Sequence, residues 1–155
     1  MLTSQDLQQF IDQNQIEAEI LPMEKDTPTV PDAARALGVK EEQIIKSLVF
    51  LVDGQPMLVI GNGTRKIDNR QIARHSGVGR KRVKMARPDQ ALEITGYVVG
   101  AMPPFGHHTG LKTIVDPGVV AHTEIFGGGG EINAMLRLTP EELLRVTGAE
   151  IVTVS

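Results

Sequence analysis

The clearest pattern in the chain is a pair of apolar runs joined by a short polar segment. The runs IIKSLVFLV and QPMLVIG, within residues 44–61, flank Asp53-Gly54. Asp-Gly between two apolar runs is typical of a β-hairpin with a two-residue type I′ turn. Because both runs are almost continuously apolar, we expect the two strands to lie in the interior of a sheet.

Other segments show helical spacing of apolar residues or short apolar runs, bounded by residues that begin or end elements. Ser4 is expected to cap the first helix, and Thr29 or Asp32 the second. We predict helices over 4–14, 31–37, 69–76, 88–95 and 140–146, and strands over 17–22, 97–100, 111–116, 119–126, 133–138 and 149–155. Strands and helices are interspersed without strict βαβ alternation. The pattern therefore predicts an α+β fold with a mixed, mostly antiparallel sheet flanked by helices.

Length and composition restrict the classes of protein to consider. A chain of 155 residues is expected to form one domain, spanning 1–155. Aromatic residues make up 3%, which disfavours a base-stacking platform, and the absence of cysteine excludes disulfides, thiolate nucleophiles and cysteine-ligated zinc. The start of the chain lacks the features of a signal peptide, and no apolar run suffices to span a membrane. We therefore expect a cytoplasmic protein without a membrane partner.

Positive charge is concentrated in one stretch, although the formal net charge is −3. Residues 65–87 hold nine Lys or Arg and a single Asp. Such a concentration indicates a polyanionic partner, with Arg80, Lys81 and Arg82 as candidate nucleic-acid contacts. The alternative is a solvated surface whose charges are balanced by acidic neighbours in space.

Lys46 is the one charged residue within the first strand of the predicted hairpin. If 44–52 is extended, Lys46 shares a face with apolar residues, while Ser47 points to the opposite face. One interpretation is a lysine that reaches water or pairs with Glu41 or Glu42. The other is a cation at the rim of a pocket, where it meets a phosphate or a developing oxyanion. A Ser-Lys nucleophilic pair is disfavoured, because alternation separates the two side chains.

Two glycine-containing loops are candidate parts of a binding site. In the segment Gly100 to Gly106, glycines flank Pro103 and Pro104, which suits either a rigid wall beside a small ligand or an ordered turn. The run 127–130 contains four glycines, which either present main-chain N–H groups to an anion or form a flexible hairpin loop. No Gly-Lys-Ser/Thr sequence follows this run, so it is not a P-loop.

The four histidines are His75, His107, His108 and His122. Their spacing matches no known zinc motif, so we expect no metal site. His107 or His108 could line a pocket as an acid–base group, which remains one interpretation of the adjacent pair.

The order of these features resembles one known family. The lysine-containing strand IIKSLVF is followed by a hairpin, a basic stretch, GYVVGAMPPFG, TIVD, a glycine-rich loop and LTPEELL. This order is similar to that of the YbaK/ProX family, which includes the insertion editing domain of bacterial prolyl-tRNA synthetases. The resemblance covers about residues 20–155, and its most specific parts are Lys46 and the G-x-x-x-P loop from Gly100 to Pro104.

The resemblance implies a hydrolase that removes a wrong small amino acid, such as alanine or cysteine, from a tRNA, often the proline tRNA. A second site of this kind is needed because a synthetase pocket cannot strongly reject a smaller amino acid. By similarity, the catalytic residues are Lys46, Gly100, Gly128 and Gly129, and the substrate-binding residues are Ala101, Met102, Pro103, Pro104, Phe105, His107 and His108. The partners implied are aminoacyl-tRNA and a synthetase such as prolyl-tRNA synthetase, with no metal or organic cofactor. The alternative is a catalytically silent module that binds tRNA or a synthetase.

Overall fold

The computed structural model describes residues 1–27 and 29–155, which form two β-sheets surrounded by helices. The helices are α1 (Ser4–Gln13), α2 (Val30–Leu37), α3 (Asn69–Ser76), α4 (Pro88–Thr95), α5 (Pro117–Val120) and α6 (Pro140–Thr147). The strands are β1 (Ala18–Pro22), β2 (Ile45–Val52), β3 (Gln55–Asn62), β4 (Val83–Met85), β5 (Lys112–Val115), β6 (Ile125–Gly128), β7 (Ala134–Leu138) and β8 (Glu150–Ile151).

The larger sheet has five strands in the order β4-β2-β3-β5-β8. The predicted hairpin forms its centre, with Val52 opposite Gln55. Asp53 and Gly54 have φ angles of 50° and 81°, the two positive values that a type I′ turn requires. The β2–β3 and β2–β4 pairs are antiparallel, whereas β3–β5 and β5–β8 are parallel. This confirms the α+β class with a mixed sheet.

The smaller sheet is antiparallel and has the order β1-β7-β6. An isolated parallel bridge between Ile44 and Phe126 brings it against the start of β2. On this same edge, opposite β3, β2 also pairs with β4, but only through Phe50, Leu51 and Val52. Between the bridge and β4, residues 45–48 of β2 therefore have no strand partner on the side opposite β3 within the part of the chain described.

Most of the predicted helices and strands are present, but several predictions were wrong. Residues 97–100 form a turn after α4 rather than a strand, because Gly96 ends the helix in a left-handed conformation and the Tyr97 side chain turns into the core. The segment 119–126 is not continuous strand. Its first part belongs to α5, whose N-terminus is capped by the buried Asp116 carboxylate. The cap of α1 is Thr3 instead of Ser4, the last strand is reduced to β8, and β4 was not predicted.

The two faces of β2 bury different sets of side chains. Ile45 and Val49 belong to a core cluster under α1, α4 and α6, while Phe50 and Val52 pack with α3 and β5. The alternation predicted for this strand is confirmed, and it places Lys46 and Ser47 on opposite faces.

In the described ranges, no helix has both the length and the apolar character needed to cross a membrane.

Candidate active site

A cavity of about 330 Å³ lies against the unpaired stretch of β2. Residues 45–49 form its floor, and its walls come from α2, from α4 with the end of β4, and from the 99–102 turn. Most of the lining is apolar. The polar side chains that border it are those of Thr27, Thr29, Lys46 and Ser47. Of the predicted site residues, Lys46, Gly100, Met102 and Gly128 meet at this cavity.

Lys46 is half-buried, and its ammonium group donates a hydrogen bond to the Arg65 carbonyl oxygen at 2.5 Å. Partial burial lowers the pKa of the Lys46 ammonium below its usual value, because desolvation disfavours the charged form. Its position opposite Gly61 in the hairpin leaves the side chain room to cross β3, with Cε 3.9 Å from the point that a Cβ on Gly61 would occupy. Neither Glu41 nor Glu42 pairs with it, and no carboxylate within the described ranges lies at ion-pair distance. An ammonium has three N–H donors, so two remain available to a ligand.

Main-chain groups of Ser47 also face the cavity. The Val49 carbonyl accepts a hydrogen bond from the Ala86 N–H at 2.9 Å, on the side of β2 away from β3. In an antiparallel pair, alternate residues direct their main-chain groups to the same side, so Ser47 directs its N–H and C=O toward the cavity that it lines. The Ser47 hydroxyl is buried, without a hydrogen-bond partner among the described residues.

Gly128 and Gly129 occupy different environments. The Gly129 N–H donates to the Ala134 carbonyl oxygen at 3.1 Å, so the expectation that it is free to bind a substrate oxygen was wrong. By the same alternation, the preceding Gly128 N–H points away from β7, toward the cavity. A Cβ atom on Gly128 would lie 2.2 Å from the Met102 carbonyl oxygen. This is a steric clash, so only glycine fits at this position. Gly128 is thus required for the close approach of β6 to the 99–102 turn.

The segment from Gly100 to Gly106 forms a wall with an inner and an outer layer. Gly100 and Met102 face the cavity, and Gly100 has a φ of 94° that favours glycine. Ala101, Pro103, Pro104 and Phe105 are buried behind them and do not border the cavity. The Phe105 ring stacks on Phe10 of α1 at a centroid distance of 5.8 Å. These side chains therefore support the wall from behind.

His107 and His108 do not line the cavity either. The His107 Nε2 atom lies 2.8 Å from the Pro103 carbonyl oxygen, and since a carbonyl only accepts, Nε2 must carry the hydrogen. Burial lowers the pKa of the His107 imidazole, which favours this neutral form. His108 is exposed beside Gly96. The structure thus brings neither ring to a position where it could act on a ligand in the cavity.

Arg80, Lys81 and Arg82 form an exposed 3-10 turn before β4. Lys81 and Arg82 border a second groove, next to the hairpin turn. Arg80 lies outside this groove, near Asp68. The pKa of the Asp68 carboxyl is lowered chiefly by a hydrogen bond from Arg70 and, to a smaller extent, by the charge of Arg80.

Several lining residues were not predicted from the sequence. Met85 and Val99 border the mouth of the cavity and are 54% and 52% exposed. Ala33, Ala91 and Met135 complete its walls. Nothing in their local sequence distinguishes these residues from ordinary core positions, because their role comes from the tertiary arrangement of five separate segments.

The cavity thus combines a cation and main-chain donors in mostly apolar surroundings. Such donors are worth more in a site that excludes water, where they can stabilise negative charge that develops on an oxygen atom. No histidine, aspartate or glutamate borders the cavity, and the described residues contain no cluster of such side chains able to hold a metal ion.

Comparisons with known proteins identify the family of the chain. The aminoacyl-tRNA editing domain family matches the chain over residues 24–146. The chain is 32% identical over 128 residues to the uncharacterized protein YwhH of Bacillus subtilis, covering 82% of this chain and 80% of that protein. It is 34% identical over 120 residues to the multifunctional Ser/Thr-tRNA deacylase ProXp-y of Escherichia coli, covering 74% and 71% of the two chains.

A larger relative and a solved structure extend the comparison. The proline–tRNA ligase of Lactiplantibacillus plantarum is 30% identical over 118 residues, which are 74% of this chain but only 20% of the ligase. The crystal structure of a proposed trans-editing enzyme for prolyl tRNA synthetase superposes with a TM-score of 0.91 at 29% identity, covering 98% of this chain and 96% of that one. With a matching fold and a family match over most of its length, the chain belongs to the family of aminoacyl-tRNA editing domains.

Proposed function

We propose that residues 1–155 act as one editing domain that hydrolyses the ester between a wrong amino acid and the 3′-terminal ribose of a tRNA. The amino acid enters the cavity beside β2, and the terminal adenosine remains at its mouth. Met85 and Val99 offer apolar surface to the adenine there, since both are about half exposed. Hydrolysis of a charged tRNA also agrees with the relation to the deacylase ProXp-y.

Lys46 is the single observation that carries this proposal. A half-buried ammonium without a carboxylate partner is costly to hold in apolar surroundings. Its contact with the Arg65 carbonyl oxygen compensates in part, and among the described residues that line the cavity it is the one charged side chain. An anionic ligand group at the cavity, either the terminal phosphate or the ester oxygen as it gains charge, would complete its interactions.

The reaction requires a water molecule as nucleophile. Water adds to the ester carbonyl, the carbonyl oxygen becomes an oxyanion, and collapse of this intermediate breaks the bond to the ribose oxygen, which leaves with a proton. In this mechanism Lys46 and the Gly128 N–H, which both border the cavity, stabilise the oxyanion and fix the ester. The Ser47 hydroxyl is not the nucleophile, because it is buried on the face of β2 opposite Lys46.

The cavity suits a small amino acid. Its volume of about 330 Å³ is shared by the side chain and the ester, and its lining is mostly apolar. We propose alanine, cysteine, serine and threonine as candidates, the last two because ProXp-y is named for them. The proline tRNA is the candidate carrier and prolyl-tRNA synthetase the candidate partner, since an editing segment of this kind occurs within proline–tRNA ligases.

The test is to incubate the protein with tRNAs carrying each of the four amino acids and to follow release of the amino acid. The wild type should hydrolyse at least one of them. Lys46→Ala should reduce the rate by about 10²- to 10³-fold, the usual cost of removing one donor to an oxyanion. The matched control is Lys112→Ala, which removes an exposed lysine that does not border the cavity.

Two results would contradict the proposal. If Lys46→Ala hydrolysed the charged tRNAs at the wild-type rate, Lys46 would have no role in the mechanism. Binding of the charged tRNAs without any hydrolysis by the wild type would support the catalytically silent module instead.

A further inference from the structure

We propose that a basic groove beside the hairpin turn binds the sugar–phosphate backbone of the tRNA acceptor end and leads it to the cavity. The basic groove is lined by Lys81, Arg82, Lys84 and Arg87, and Asp53 and Met85 also border it. This inference rests on the proposed function, because it assigns the path by which the same substrate reaches the same site.

The charge of the basic groove is the first observation. It holds four cations and one carboxylate, that of Asp53. Asp53 is hydrogen-bonded to Arg82 at 2.8 Å, and Asp89, outside the groove, pairs with Arg87 at 3.2 Å. Lys81 and Lys84, in contrast, have no carboxylate at ion-pair distance among the residues described. Lysines without partners on one surface attract a polyanion and release its counterions on binding.

The connection between the basic groove and the cavity is the second observation. Met85 borders both. Lys84, its neighbour on β4, is opposite Leu51 of β2, so the lysine lies on the strand that borders the unpaired stretch of β2. Lys81, Lys84 and Met85 line the same groove, so a chain whose last nucleotide rests on Met85 would have its preceding phosphates within reach of the two lysines.

The composition of the basic groove favours phosphates over bases as the contact. No aromatic residue lines it, so stacking cannot hold the nucleotides there. Lysine and arginine are the residues that meet phosphate oxygens. The basic groove also differs from the predicted set of Arg80, Lys81 and Arg82: it excludes Arg80 and adds Lys84 and Arg87.

The first experiment separates backbone binding from chemistry. Two kinds of substrate are compared. One is an aminoacylated proline tRNA; the other is the alanyl or seryl ester of adenosine, which reaches the cavity but lacks the preceding phosphates. Lys81→Ala and Lys84→Ala should each raise KM for the tRNA about 3- to 10-fold without changing kcat. Each should also reduce, by about one, the slope of the logarithm of the binding constant against the logarithm of the salt concentration. Hydrolysis of the adenosine esters should not change.

A second variant tests the opposite sign. Asp53→Asn removes the carboxylate of the basic groove and frees Arg82, while asparagine still accepts the positive φ of the turn. Affinity for the tRNA should rise about 2- to 5-fold, with unchanged hydrolysis of the adenosine esters. Lys112→Ala, on a strand outside the basic groove, is the control and should behave as the wild type.

The outcomes distinguish this inference from the proposed function. Unchanged tRNA affinity and KM in both lysine variants, or weaker tRNA binding by Asp53→Asn, would overturn the basic groove as the path while leaving the cavity chemistry intact. If the wild type hydrolyses neither substrate, the proposed function fails. Whether the basic groove binds tRNA is then still tested by the affinity of the same variants for uncharged tRNA.

Discussion

Gly128→Ala tests whether close contact between β6 and the 99–102 turn shapes the active site. A Cβ atom at this position would lie 2.2 Å from the Met102 oxygen and 2.6 Å from its carbonyl carbon. Both are main-chain atoms and cannot rotate away, so the turn must shift by about 1 Å to restore an ordinary contact. The turn carries Gly100 and Met102, which line the cavity. A displacement of about 1 Å in a positioning element can reduce the rate about 10²-fold.

The assay combines hydrolysis of mischarged tRNA with thermal unfolding. Overpacking should also lower the free energy of unfolding by about 1–3 kcal/mol, so rates are compared below the unfolding transition. Gly110→Ala is the matched control, because its Cβ would meet nothing within 4 Å. If Gly128→Ala retained both the activity and the melting temperature of the wild type, the argument that glycine is required here would be refuted.

Three further predictions concern groups that support the site. The pKa of Glu142 is lowered to about 2, chiefly by a hydrogen bond from Arg145. Glu142→Gln should therefore lower the free energy of unfolding by about 1–2 kcal/mol at pH 7, and this difference should shrink as the pH falls from 4.5 toward 2 in urea titrations. Because burial lowers the pKa of His107 below 6.5, the unfolded state takes up the proton first. Stability should then decrease as the pH falls below 6.5, and less so in His107→Ala. The Tyr97 hydroxyl is buried without a partner among the described residues, so Tyr97→Phe should be neutral or stabilising in thermal unfolding.

The hairpin and most helices could be predicted because local sequence determines them. Asp53-Gly54 specifies its turn by the φ angles it permits, and the glycines after α2, α3, α4 and α6 end those helices in the left-handed conformation. The segment 119–126 shows the limit of this approach. Its β-branched residues favour a strand, but the Asp116 carboxylate starts a helix there and also holds the C-terminal segment through the Val154 N–H. The pair Asp116-Pro117 is a local helix-start signal that outweighs the β-branched residues, whereas the contact with Val154 is tertiary and leaves no mark in local propensity.

Part of the site could be predicted from the sequence by the same reasoning. Lys46 was identified because a charge is unusual in an apolar strand, and the structure places it at the cavity. The separate role of each glycine in residues 127–130 could not be predicted from the sequence. Four consecutive glycines look alike in sequence, yet the Gly129 N–H is occupied by the Ala134 carbonyl and Gly128 contacts the Met102 main chain. Only the register of β6 against β7 distinguishes them.

The unpaired stretch of β2 has a consequence for how the protein avoids self-association. A strand edge with free main-chain groups is a template for pairing with another chain, and residues 45–48 form such an edge in the middle of the molecule. The walls of the cavity, from α2, α4 and the 99–102 turn, leave a space that a small ligand enters but a neighbouring strand does not. The walls that we propose to select a substrate by size thus also cover a sheet edge that could otherwise pair with another chain. Changes that widen the cavity to admit larger amino acids would also weaken this protection.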